Sequence, residues 1–183
     1  MWTIVSNNGS SLVANCIATG ESFSGTPTAF AAMFTTAGKD WAINCLTTTT
    51  LPALLEDQDV LLDQAAGSTL ILPDSTGSGI TVTAFVSVTA TSNSHIVKVS
   101  RTADKMTGFL HTHDMDANAT SFYRPVIADD VNGITMNRTT TGGLIGDWVR
   151  LKDIKANTWV VTGGHITCVA GNNIANPFSK LVT

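Results

Sequence analysis

Residues 79–88 read GITVTAFVSV, and this stretch decides the fold class. In an extended chain Ile80, Val82, Ala84, Val86 and Val88 share one face, while Thr81, Thr83, Phe85, Ser87 and Thr89 share the other. A helix would scatter both sets around its circumference, so the period of two predicts a strand with one side buried. Similar short segments flank it: VLLDQ (60–64), TLILP (69–73), HIVKVS (95–100), KMTGFLH (105–111), SFYRPVIA (121–128), NGITMN (132–137), GDWVRLKDI (146–154), TWVVTGG (158–164) and HITCVA (165–170). Turn formers separate them, including AAGS, DSTGSG, TSNS, DDVNG and KAN. Many short strands at such intervals predict an all-β protein, an antiparallel β-sandwich or jelly-roll-like barrel. With no helix interrupting the run, a parallel α/β sheet is not expected.

The first fifty residues differ. MWTIVSNN and SSLVANCIATG look like short strands, and GTPTAFAAMFTTAGKD carries a helix signal. Thr26 suits an N-cap, Pro27 the first helical position and Gly38 the C′ position, with Phe30, Met33 and Phe34 at helical spacing. A short helix is therefore expected near 27–37, within an N-terminal extension (1–50) that precedes the β domain (51–183).

Residues 146–164 predict a hairpin across Lys155, Ala156 and Asn157, with Trp148 and Trp159 close together on its two arms. Gly142-Gly143 and Gly163-Gly164 supply positive-φ freedom or close backbone approach at its ends. The tryptophans then serve as core or interface plugs.

Charged residues make up 13% of the chain, against about 25% in an average soluble domain. Thr, Ser, Asn and Gly replace them. Such a surface loses less solvation than one of Lys and Glu when a partner covers it, although a neutral extracellular-type surface has the same composition. Net charge is −4 and the ten basic residues are scattered, only Arg150, Lys152 and Lys155 approaching a cluster. A nucleic-acid interface is not expected. Nor is a membrane span or a secretory leader, since the chain has no long apolar run and no basic N-terminal region. Cys16, Cys45 and Cys168 show no CxxC spacing and lie in apolar runs, which predicts free buried thiols and synthesis in a reducing cytoplasm.

Chemistry-bearing patterns are sparse. In HTHDMD (111–116), His111 and His113 would share a strand face, with Asp114 or Asp116 completing a metal site. The ANATS that follows has loop composition, and His95 and His165 belong to separate strands, so a polar loop of unliganded histidines is expected. A metal site would need copies gathered around a symmetry axis. GESFSG (20–25) misses the G-x-S-x-G elbow at its last position. Glu56, Asp57, Asp59, Asp129 and Asp130 read as charged turns, and no phosphate-binding loop is present. The expectation is a non-enzyme with no cofactor and no metal.

VLLDQAAGSTLILPDSTGSGITVTAFVSV (60–88), TSNSHIVKVS (91–100), NGITMNRTTTGGLIGDWVRLKDI (132–154), NTWVV (157–161) and NPFS (176–179) resemble a recurrent pattern in virion structural proteins of tailed bacteriophages. The resemblance covers residues 58–179 and carries turn and core signals rather than catalytic ones. It implies a capsid decoration (cement) protein: a homotrimer made in the host cytoplasm, bound to the major capsid protein on the capsid exterior. Contact with the shell is expected at Trp2, Ile4 and Val5, apolar residues with little nearby to bury them. The rival is a head-fibre or tail-fibre module binding host-surface glycan through Tyr123, Arg124, Trp148 and Trp159. A cellular carbohydrate-binding β-sandwich is a third alternative.

Overall fold

The computed structural model describes residues 2–7, 12–16, 22–25, 42–45, 47–53, 57–125, 130–169, 171 and 173–183. The chain divides into two compact units, Met1–Asp40 and Trp41–Thr183. In the first, β1 (Trp2–Asn7), β2 (Leu12–Cys16) and β3 (Ser22–Gly25) form an antiparallel sheet in that order. Trp2 pairs with Cys16 and Ile4 with Ala14, and the register shifts between Ile4 and Ser6, around Val5. The side chains of Trp2, Ile4 and Val5 and the expected helix at 27–37 lie outside the described residues.

The second unit is all-β in its described residues, with thirteen strands: β4 (Ala42–Cys45), β5 (Thr48–Thr50), β6 (Gln58–Leu62), β7 (Thr69–Ile71), β8 (Thr81–Val86), β9 (His95–Lys98), β10 (Lys105–Gly108), β11 (Leu110–Asp114), β12 (Ala119–Tyr123), β13 (Gly133–Met136), β14 (Trp148–Lys155), β15 (Thr158–Cys168) and β16 (Phe178–Ser179). An eight-stranded sheet runs β12-β11-β15-β14-β8-β6-β4, with β10 also on β15, and a five-stranded sheet runs β16-β13-β9-β7-β5. The boundary falls before residue 50 because β4 pairs with β6 and β5 with β7, which ties both into the second unit.

Both sheets are mixed, which corrects the wholly antiparallel pairing expected above. From β4 to β9 the chain alternates between them. Each strand therefore lies parallel to the one two places earlier: β4 with β6, β6 with β8, β5 with β7 and β7 with β9. Parallel neighbours need a crossover of about a dozen residues, usually a helix. Here a strand of the opposite sheet does that work.

One apolar cluster draws on both sheets. Val60, Leu62, Val82, Val149, Leu151 and Ile166 come from the larger, and Leu70, Val97, Ile134 and Met136 from the smaller. Each such aliphatic side chain contributes about 1.5–3 kcal/mol when fully removed from water. Along β8, Val82, Ala84 and Val86 are buried as expected, and Thr83 on the opposite face is buried as well, so the alternation holds only in part.

Candidate functional site

The side chains of the resembling stretches that look most capable of chemistry are committed to the backbone. Asp153, on β14, is 1% exposed, and its carboxylate accepts hydrogen bonds from the loop Ser75–Ser78. The Ser75 and Ser78 hydroxyls donate at 2.7 and 2.8 Å, and the Thr76, Gly77 and Ser78 amides at 2.9–3.0 Å. Burial alone would raise the Asp153 pKa, but the Ser75 hydroxyl and those amides outweigh it and hold the carboxyl well below the usual range. Asp104, also buried, takes the Ser75 amide at 3.0 Å and the Arg101 Nε at 3.1 Å. Two acids thus fix the DSTGSG turn from beneath.

Asp147, of the Gly146-Asp147-Trp148 segment, repeats the device. Its Oδ2 accepts the Gly143 and Leu144 amides at 2.7 and 3.1 Å, and its Oδ1 accepts Thr167 N at 2.9 Å. Here burial dominates and raises the pKa. Gly142 and Gly143 adopt φ of +82° and +108°, as the turn demands. His95, fully buried, accepts the Ser68 amide on Nδ1 at 3.1 Å, which leaves Nε2 to donate to the Val88 carbonyl at 2.8 Å. Burial lowers its pKa, so the ring stays neutral. Burial also pushes the Cys168 thiol up to about 11, with help from Asp114, Asp147 and Asp116. It remains a thiol at neutral pH.

HTHD is strand rather than loop, because β11 pairs with both β12 and β15. His165 belongs to a separate strand, as expected, but that strand is the neighbour of β11 and places it directly across from His111. The register then runs across five strands through Phe122, His111, His165, Trp148 and Phe85. His111 and His165 place their Nδ1 atoms 3.0 Å apart. Phe122 is 71% exposed and packs its ring 5.0 Å from that of His111, with Phe109 beyond it at 6.5 Å. Arg150 lies 5.5 Å over the Trp148 ring. Burial of the ring, with His165 and His113 beside it, lowers the His111 pKa. This aromatic and imidazole strip is the candidate site. The spacing of His111 and His113 was legible, but the third imidazole depended on strand order.

The hairpin forms as expected, with Lys155 opposite Thr158, but Trp148 faces His165 and Trp159 faces Asp153. The tryptophans are not a pair. Trp159 is fully buried and donates Nε1–H to the Pro73 carbonyl at 3.3 Å, which removes it from any stacking platform. Tyr123 packs against the core and donates its hydroxyl to Ile174 O at 2.8 Å. Of the four glycan candidates, Arg124 is exposed and Trp148 half-buried. Separately, an open groove of about 690 Å³ is lined by hydroxyls and amides from Thr47, Thr48, Gln64, Thr69, Ser92 and Asn93.

In comparisons with known proteins, no family model, no curated sequence and no solved structure matches the chain.

Proposed function

We propose that the protein is a tailed-bacteriophage capsid decoration protein, a non-enzymatic homotrimer that binds the assembled head and stabilises it. The two mixed sheets are taken as the layers of a β-sandwich, and the N-terminal unit, with Trp2, Ile4 and Val5, as the shell contact. One observation carries the reading. The side chains in the resembling stretches that would be candidates for chemistry (Asp147, Asp153 and His95) are buried and hold loop backbone. What these stretches supply is a scaffold with locked turns. Such a protein acts by mass action, since binding the shell but not its dissociated subunits favours the shell. Three contacts per trimer multiply a weak single-site affinity.

The test is co-sedimentation of the purified full chain with expanded heads built from the capsid protein of the same genome. Saturable binding in multiples of three is expected, and deletion of residues 1–8 should abolish it while the β unit stays folded. Absence of binding to heads would refute the decoration reading; undiminished binding of the deletion variant would refute the assignment of the contact. Trp148, half-buried beneath Arg150, favours a second reading, the glycan-binding fibre module. Binding on a glycan array that Trp148→Ala removes would support it.

A further inference from the structure

The strip on the larger sheet carries a feature that shell binding does not require. His111 and His165 stand in register on neighbouring parallel strands, and their Nδ1 atoms approach to 3.0 Å. Imidazole nitrogens bind a divalent first-row ion at about 2.0–2.1 Å. A cation at that distance from both atoms would see them at an angle of about 94°, nearer to a square-planar bite than to a tetrahedral one. We propose that His111 and His165 form a two-imidazole site for a divalent transition-metal ion of tetragonal preference, the Cu²⁺ or Ni²⁺ class.

Without metal, one Nδ1–H donates to the other Nδ1. Binding requires that proton to move to Nε2 of the same ring, so two neutral imidazoles present two Nδ1 lone pairs and no proton is lost overall. Both rings are half-buried. Phe122 covers one flank, while His113 flanks His165 with its ring 6.4 Å away. Among the described residues no three His, Cys, Asp or Glu side chains converge as a ligand set. The protein therefore supplies two ligands, and solvent takes the remaining positions.

The experiment is Cu²⁺ titration of the metal-free full chain, read by electron paramagnetic resonance. One ion per chain, with superhyperfine splitting from two imidazole nitrogens, is expected. His165→Asn or His111→Asn should weaken binding by at least about tenfold and remove one nitrogen from the spectrum. His113→Gln should retain both. A spectrum unchanged in both single variants, or dominated by the terminal amine, would overturn the proposal. Should either variant fail to fold, substoichiometric Cu²⁺ added to the unmodified chain provides the check. Paramagnetic broadening must then strike the imidazole resonances of His111 and His165 first, and broadening first at other histidines or at the terminal amine would overturn the site.

Discussion

Asp153→Ala removes the anion around which the Ser75–Ser78 loop is organised, and its effect can be worked from the contacts. Three backbone amides and two close hydroxyl donors lose their acceptor. A hydrogen bond to a charged group contributes about 1.5–3 kcal/mol, and each buried donor left without a partner costs about 1–3 kcal/mol. Water re-solvates the more exposed positions, since Thr76, Gly77 and Ser78 lie at the surface and only Ser75 is buried. A loss of about 3–5 kcal/mol is therefore expected rather than the full sum, at the upper end for a single substitution. In a domain of this size it corresponds to a fall in Tm of roughly 10–15 °C. Urea unfolding gives the free energy, and amide hydrogen exchange at residues 76–78 should show protection lost first in that loop. The carboxyl's pKa is depressed in the folded state, so its contribution is present above the unfolded value. It is lost as pH falls through the folded one. The variant should accordingly show a flatter acid limb. A loss under about 1 kcal/mol, with 76–78 still protected, would refute the claim that this carboxylate orders the turn.

Other outcomes follow from the same contacts. His95 is held neutral with a lowered pKa, so its contribution is present above the unfolded value of 6.5 and is lost as pH falls below it. Tm should drop between pH 7 and 5, and His95→Gln should flatten that slope while lowering Tm throughout. Gly108→Ala places a methyl against the Val161 carbonyl at φ +107° and should cost about 3 kcal/mol or more in urea unfolding. Gly79→Ala, at φ +80° with open space around it, should cost about 1 kcal/mol. Trp159→Ala should lose about 3–5 kcal/mol and Trp148→Ala about 1 kcal/mol, since only Trp159 is fully enclosed.

Most strands were legible from one buried face, but TWVVTGG and HITCVA are a single strand, β15, and KMTGFLH is divided between β10 and β11 at Phe109. GITVTAFVSV showed its core side because Val82, Ala84 and Val86 alternate with residues facing the other way, and the 148–164 hairpin followed from its turn residues. Pairing was not legible. Nothing local in β6 or β7 says that its hydrogen-bond partner lies two strands back across a change of sheet. The same gap hid the site: His165 meets His111 only through the order β12-β11-β15-β14. The buried aspartates were missed for another reason. Asp147 has the flanking sequence of an ordinary solvated turn residue and Asp153 that of an outward-facing strand residue, and only the folded chain brings Thr167 onto the first and the loop Ser75–Ser78 onto the second. Gly164 shows a glycine needed for room rather than for φ, since a Cβ there would run into Leu110.

One strand connects more of the molecule than any sequence feature announced. β15 is eleven residues long, and β10, β11 and β14 all pair with it. During synthesis these three strands emerge before their common partner, so the larger sheet stays open along that line until β15 (Thr158–Cys168) has followed them out of the ribosome. The chain is thus a natural candidate for a split protein. A fragment ending at Asn157 should expose unpaired edges and self-associate, and a separately supplied 158–183 peptide should restore the fold by inserting itself as the missing strand.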